Sequence, residues 1–309
     1  MLFTKYVSYS AALVYHRSCV GRGGELWYCT WDRTFWDPTE QVMYGGTFQP
    51  KTVRNGILPH CRDKEHWSLD PILMLAVMVA VDTGSGGPDE KTFMFPSIHG
   101  NSSNYAATMV TNTIRKACSD IDELDPSTSS HDIRYGVLSD MQANKDLQII
   151  YAIFRGDWQF EGDTTGLNYC DRQPGSLEAG KAVAGWKSTK EVIVSLDLDD
   201  IILVLLGDDA DASMLTRMRN FAESLFKRMP LSKEKTDQCY QLRNVFFCAL
   251  VEMAPVIIDD LNRLRGENPP KDILESTLRF ELATYGFNWD DLLGWSKKVC
   301  MSVKKIVRE

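Results

Sequence analysis

The longest apolar run of the chain covers residues 72–81 and directly follows Pro71. A helix needs about 20 apolar residues to cross the hydrocarbon core of a bilayer, so this run has about half of the required length. Proline is favoured at the first position of a helix, and Ser68 or Asp70 can cap the free N–H groups there. The segment 67–81 is therefore predicted to form a helix, and no stretch of the sequence suits a membrane span.

The N-terminal residues 1–20 contain Ser, Tyr and His side chains that interrupt any apolar segment, so a secretory signal is not expected. The eight cysteines form no Cys-x-x-Cys pair and no Cys/His cluster at zinc spacing. The acidic run 197–200 lacks the glycine and the terminal glutamate of a calcium-binding EF-hand loop. The sequence therefore indicates an intracellular protein with free buried thiols and with no metal or cofactor.

The patterning predicts a mainly α-helical fold with a small antiparallel β-sheet, which is an α+β class. Extended segments are predicted over 41–59, with turns at Gly45-Gly46 and Asn55-Gly56. Helices are predicted at 5–20, 23–32, 67–81, 102–118 and 130–143.

The composition shifts after Lys190 towards long helical patterns. A chain of 309 residues has room for about two domains. We therefore predict one domain over 1–190 and a helical C-terminal domain over 191–309. Its helices are expected at 193–207, 212–229, 233–266, 271–285 and 288–307.

His131 and Arg134 lie three positions apart in a predicted helix, which places both side chains on one face. Trp158 and Tyr169 follow downstream. A tyrosine that attacks a phosphodiester needs cations for the non-bridging oxygens, a proton donor for the leaving 5′-hydroxyl and a proton acceptor near the phenol. The arginine fork can hold two phosphate oxygens. The set is therefore suited to cutting a DNA strand.

Two further cations lie upstream. Arg22 precedes a glycine pair and Glu25 at a predicted helix start, where backbone N–H groups also favour an anion. Lys51 lies in the predicted hairpin, from which it could reach a scissile phosphate. Glu25 is expected to orient a buried basic group. Three tryptophans are expected to pack in the core rather than to stack on nucleic acid, namely Trp27, Trp31 and Trp36.

The order of these residues resembles the catalytic domain of the tyrosine recombinases, the phage-integrase-like enzymes. The resemblance spans roughly residues 1–187 and includes the Phe-Pro segment at 95–97. Around the tyrosine, and in Ala182 to Trp186, the chain is similar to eukaryotic crypton-type recombinases and to the related fungal centromere-binding kinetochore subunit. The matching residues are Arg22, Lys51, His131, Arg134, Trp158 and Tyr169.

This resemblance implies a site-specific recombinase or integrase of a mobile element that cleaves and rejoins double-stranded DNA. Tyr169 would attack the phosphate to form a 3′-phosphotyrosine link, while Arg22 and Arg134 hold the oxygens. Covalent storage of the bond energy means that no metal, ATP or other cofactor is required.

The remaining roles also follow from the resemblance. Trp158 would donate its indole N–H to the same phosphate, Lys51 would protonate the leaving 5′-hydroxyl, and His131 would assist proton transfer at the tyrosine. Enzymes of this type assemble on paired DNA sites, so a homo-oligomer on DNA in the nucleus is expected.

The charge favours an alternative, because 34 basic and 42 acidic residues give a net charge of −8. A noncatalytic protein that binds a specific DNA sequence or acts as a scaffold could keep the recombinase fold without the chemistry. Only 21 residues precede Arg22, so the N-terminal clamp domain of the recombinases is expected to be missing. A helical protein-interaction protein with accidental motifs is a third possibility. A local basic cluster could still hold DNA, with the members Arg22, Lys51, Arg54, Arg62, Lys64, Arg134, Arg155 and Arg172.

Overall fold

The fold is mainly helical and contains a small three-stranded antiparallel sheet, which confirms the predicted α+β class. It is seen in a computed structural model. The described residues are 2–49, 54–63, 65–81, 93–99, 102–145, 147–156, 172–186, 191–193, 198–207, 210–227, 229, 236–265, 273–302 and 305–307.

The elements of the first part of the chain surround the sheet. Its helices are α1 (Leu2–Cys19), α2 (Pro71–Val81), α3 (Pro96–His99), α4 (Ser103–Ser119), α5 (Ser130–Ala143), α6 (Ile149–Arg155) and α7 (Arg172–Val183). Its strands are β1 (Phe35–Asp37), β2 (Val42–Gln49) and β3 (Arg54–His60), paired in the order β1-β2-β3.

The described residues of the second part of the chain form helices and one strand pair. Its elements are β4 (Glu191–Ile193), α8 (Leu198–Leu206), α9 (Ala212–Leu225), α10 (Thr236–Arg265), α11 (Ile273–Thr284), α12 (Trp289–Ser302) and β5 (Lys305–Val307).

Helix α2 begins at Pro71, the predicted first position, and Asp70 caps it. Residues 67–69 of the predicted helix form a separate 3₁₀ turn instead. The Asp70 Oδ1 atom accepts the backbone N–H groups of Ile72 at 2.9 Å and Leu73 at 3.1 Å. All residues of α2 except Ala80 are buried, because α1 and α10 pack around the helix. A helix that is apolar on all sides belongs in a core. Among the described residues, no helix is long and apolar enough to cross a membrane.

The predicted extended segments form β2 and β3, but both predicted turns are wrong. Gly45-Gly46 lies inside β2, and Asn55-Gly56 lies inside β3. The two strands are connected by residues 50–53, which are outside the described part of the chain. Glycine at position 45 serves close packing instead, because a Cβ there would collide with the Tyr15 hydroxyl and lie 3.2 Å from the His60 ring.

The predicted helix over 23–32 is also wrong in detail, since this segment forms two short 3₁₀ helices at Gly23–Tyr28 and Trp31–Arg33. Glycine pairs disfavour a continuous α-helix. A Cβ at Gly24 would lie only 2.8 Å from the Ser103 carbonyl oxygen at the start of α4. The glycines therefore allow the 3₁₀ segment to approach the α4 backbone closely.

Two of the predicted C-terminal helices are shorter than expected. The pattern over 193–207 predicts a helix, but α8 begins only at Leu198, and residues 191–193 form strand β4. Likewise α12 ends at Ser302 and is followed by β5, which pairs antiparallel with β4. The two strands lie more than a hundred residues apart, so their pairing leaves no signal in the local pattern.

Buried side chains from both sides of position 190 belong to one apolar cluster, in which α10 packs against α2 and β1. A buried ion pair crosses the same boundary: Arg62 binds Asp70, and its Nη2 atom lies 3.4 Å from Glu252 Oε2. The division into two domains stays a prediction, while the two parts share one core.

Candidate functional site

The Arg22 turn connects α1 to the first 3₁₀ helix. Val20 adopts a left-handed conformation with φ 55°, which redirects the chain after α1. Arg22 then occupies the N-cap position, with an exposed side chain. A Cβ at Gly23 would lie 3.2 Å from Ser130 Oγ. The turn therefore packs against the first turn of α5, the helix that carries the His-x-x-Arg motif.

The start of α5 is fixed by a capping box. The Ser129 hydroxyl accepts the His131 backbone N–H at 3.3 Å, and Asp132 accepts the Ser129 backbone N–H at 2.8 Å. Hydrogen bonds from Ser129 also lower the pKa of the Asp132 carboxyl, which keeps it ionised. The His131 ring is exposed and meets the Tyr135 ring edge-on, with centroids 4.9 Å apart. His131 is thus held at the surface next to a negative charge.

Arg134 lies one turn further along α5 and is buried. Its Nη2 atom donates a hydrogen bond to the backbone carbonyl of Gly156, at the end of α6. Gly156 is also the last described residue before the segment 157–171. His131 and Arg134 were predicted to act from one helix face. In the structure His131 lies at the surface, whereas Arg134 is bonded to the end of α6.

His16, on the last turn of α1, lies beside Arg134 and was missed by the sequence analysis. Its side chain is buried. Burial, and to a smaller extent the charge of Arg134, lowers the pKa of His16 to about 4. The ring is therefore neutral at pH 7. Nothing in its sequence context distinguishes it from the other four histidines.

Three of the predicted site residues lie outside the described residues, namely Lys51, Trp158 and Tyr169. Lys51 belongs to the connection between β2 and β3, whose flanking residues Gln49 and Arg54 are paired. Tyr169 precedes the first residue of α7 by three positions in the sequence.

The segment 182–186, which contributes to the family resemblance, terminates α7. Gly185 adopts φ 74°, and the Trp186 N–H bonds back to the Lys181 carbonyl at 3.0 Å. This is the Schellman arrangement, in which glycine is favoured at the left-handed position. The Trp186 indole N–H donates to the Arg62 carbonyl at 2.7 Å. The segment therefore anchors α7 to the chain that follows β3.

A buried polar network joins α1, β3 and α6. Arg155 donates to the carbonyls of Ser18, through Nε at 2.9 Å, and of Pro59, through Nη2 at 2.8 Å. The Ser18 hydroxyl lies 2.8 Å from His60 Nδ1, and the Tyr15 ring stacks on His60 at 4.3 Å. Burial, and to a smaller extent the charge of Arg155, keeps the pKa of His60 well below its ordinary value. The network fixes the backbone under the site.

The basic surface around the site is smaller than the sequence suggests. Arg62 and Arg155 are each only 3% exposed, and Arg134 is 5% exposed. Each of these side chains binds a carboxylate or a backbone carbonyl inside the fold. Three members of the predicted basic cluster are therefore internal, and Arg22 remains an exposed cation next to α5.

The two buried histidines predict a loss of stability in acid. The unfolded chain binds a proton below pH 6.5, whereas folded His16 does so only near pH 4. The free energy of unfolding should therefore fall by about 1.4 kcal/mol per pH unit for each such histidine as the pH drops through this window. In the His16→Gln variant, the free energy of unfolding measured with urea should fall less steeply with decreasing pH, by that amount. An equal pH dependence in the wild type and the variant would contradict the burial of a neutral His16.

Among the described residues, no group of three or more His, Cys, Asp or Glu side chains is arranged to hold a metal ion. No family model, curated protein or solved structure matches the chain. The function is therefore inferred from the residues themselves.

Proposed function

We propose that this chain cleaves and rejoins DNA strands through a covalent bond between Tyr169 and a 3′-phosphate. One packing arrangement carries the proposal. The Arg22 turn lies against the first turn of α5, and Arg134 of the same helix bonds the carbonyl of Gly156. Trp158 and Tyr169 belong to the segment that follows Gly156 in the sequence.

In the proposed reaction the Tyr169 phenol oxygen attacks the phosphorus, and the bond from phosphorus to the 5′-oxygen breaks. His131 takes the phenol proton, and Lys51 gives a proton to the departing oxygen. The phosphotyrosine bond replaces one phosphodiester bond. A free 5′-hydroxyl can therefore reverse the attack and reseal the strand without an external energy source.

Charge on the phosphoryl oxygens must be stabilised as the phenol attacks. The turn that carries the exposed Arg22 packs against the N-terminal end of α5, where the helix dipole also favours an anion. Arg134 would supply a second fork and Trp158 an indole N–H. The ionised carboxyl of Asp132 opposes the phosphate, so the arginines must outweigh it.

The order of the elements supports a tyrosine recombinase-like domain over 1–190. Arg22 precedes the three-stranded sheet, Lys51 belongs to the β2–β3 connection, and α5 with its His-x-x-Arg motif follows. On this proposal the protein assembles with further copies on paired DNA sites in the nucleus, as a recombinase of a mobile element.

The alternative is a DNA-binding or scaffold protein that keeps this arrangement without the chemistry. The observation that favours it is the burial of Arg134, whose bond to Gly156 is a structural use of the side chain. The net charge of −8 also disfavours strong nonspecific DNA binding.

A covalent capture experiment distinguishes the two functions. The full chain is incubated with a library of nicked DNA duplexes of randomised sequence, and protein-linked DNA is recovered under denaturing conditions and sequenced. We expect adducts with a shared sequence that disappear in Tyr169→Phe. They should persist in Tyr105→Phe, whose tyrosine lies on α4 and is 44% exposed. DNA binding in a mobility-shift assay without an adduct would favour the noncatalytic protein, and the absence of both would contradict both functions.

A further inference from the structure

A cleft of about 720 Å³ lies beyond the far end of α5. The helix spans 14 residues, so the cleft is about 20 Å from the His131 end. It is bordered by the C-terminal ends of α5 and α7, by α1 and by the connection between β3 and α2. Its polar lining residues are Arg17, Asp63, His66, Asp140, Asn144 and Lys145.

Asp63 provides a buried carboxylate in this cleft and is only 3% exposed. Its Oδ1 atom accepts the backbone N–H groups of Glu65 at 3.1 Å and His66 at 2.9 Å. Its other oxygen, Oδ2, makes no hydrogen bond to the described residues. Burial raises the pKa of Asp63 above its ordinary value. The His66 N–H and nearby Arg17 act in the opposite direction, but their effect is smaller. A carboxylate that is mostly buried is stabilised by a strong donor.

Arg17 supplies the opposite charge. Its Nη1 atom donates to the Val183 carbonyl at 3.0 Å, which fixes the guanidinium at the end of α7. Its Nη2 atom forms a long ion pair with Asp140 Oδ2 at 3.8 Å, without a hydrogen bond. Lys145 adds positive charge at the rim, and His66 adds an imidazole that can form hydrogen bonds; both are exposed. The cleft therefore presents two carboxylates, Asp63 and Asp140, and the cations Arg17 and Lys145 to the same space.

We propose that this cleft binds a small zwitterion with an ammonium group next to a carboxylate, as in a free α-amino acid. The ammonium would donate to Asp63 Oδ2, and the carboxylate would bind Arg17, with His66 and Lys145 nearby. Such charge-assisted hydrogen bonds are the strong ones in proteins. The carbonyl ends of α5 and α7 also favour a cation. The volume lies within the usual range for small-ligand sites and leaves room for a side chain.

This site is independent of strand transfer, because none of its residues belongs to the proposed reaction. Saturation-transfer NMR of the full chain with a mixture of the twenty free L-amino acids tests it, followed by calorimetric titration of those that respond. We expect at least one to bind saturably. Propylamine and propionate, which each carry only one of the two charges, should bind at least tenfold more weakly.

Two variants connect such binding to the cleft. Asp63→Asn keeps an oxygen that can accept the backbone N–H groups but loses the charge, and Arg17→Gln removes the guanidinium. Each should weaken amino-acid binding at least tenfold, whereas Asp199→Asn, on the exposed face of α8, should not change it. No binding of any amino acid, equal binding of propylamine, or unchanged affinity in a folded Asp63→Asn protein would overturn the proposal. Thermal unfolding of each variant verifies that it is folded.

Discussion

Replacing Asp70 by alanine is expected to lower the free energy of unfolding by about 4 kcal/mol or more. Asp70 is fully buried and pairs with the buried Arg62. The same carboxyl caps α2 through its second oxygen. The variant therefore loses the helix cap and leaves Arg62 with the longer contact to Glu252, at 3.4 Å. Native domains are stable by only about 5–15 kcal/mol, so this loss brings the chain close to unfolding.

Chemical denaturation of the variant and the wild type gives the difference directly. Asp199→Ala is the matched control, because Asp199 pairs with Arg219 at 2.9 Å with side chains that are 63% and 48% exposed. Exposed pairs contribute less than about 1 kcal/mol. If both alanine variants lost similar stability, the buried Arg62–Asp70 pair would contribute no more than an exposed pair.

Replacing Arg134 by lysine is expected to slow covalent adduct formation by about a hundredfold or more. Lysine keeps the positive charge but not the planar fork that can bind two phosphate oxygens. The same variant should lose about 1–3 kcal/mol of stability, because the Gly156 carbonyl loses its buried donor. Arg134 is thus expected to affect both the chemistry and the fold.

The two effects are measured separately, by a time course of adduct formation and by urea unfolding. Arg219→Lys, at an exposed position on α9, should change neither quantity. A destabilised Arg134→Lys protein that forms adducts at the wild-type rate would assign Arg134 to the fold alone.

Local signals predicted the parts of the fold that local interactions determine. The start of α2 is an example, because the Asp70 cap and Pro71 lie next to the helix that they begin. The tryptophans expected in the core are another, since Trp31 and Trp36 are 7% and 4% exposed. These features depend on neighbouring residues and on apolar content, which a sequence displays directly.

Other features depend on partners far along the chain. Asn55-Gly56 is typical of a tight turn, but its pairing with Thr47 and Phe48 places it inside a strand. Arginine is usually a surface residue, but Arg62 is buried with the partner Glu252, which follows 190 positions later. Arg155 is buried for the same reason, because Ser18 is 137 positions away. Sequence patterns carry no signal for such long-range contacts.

The candidate site was predictable only where it depends on local sequence patterns. Arg22 at a helix start and the His-x-x-Arg motif on a helix follow from local patterns, and the structure has both. The burial of Arg134 and the neutral His16 beside it arise from the packing of α1 against α5. A search for motifs cannot detect a buried histidine that has no motif of its own.

The most direct measurement is to identify the residue that carries DNA after the adduct is digested. Trypsin cleaves after Arg155 and Arg172, which releases the peptide 156–172, and its single tyrosine is Tyr169. Nuclease treatment reduces the attached DNA to a nucleotide, and mass spectrometry then locates the modified residue. The proposed function predicts a nucleotide joined through its 3′-phosphate to Tyr169. A nucleotide on another residue, or a 156–172 peptide that stays unmodified in every captured complex, would contradict it.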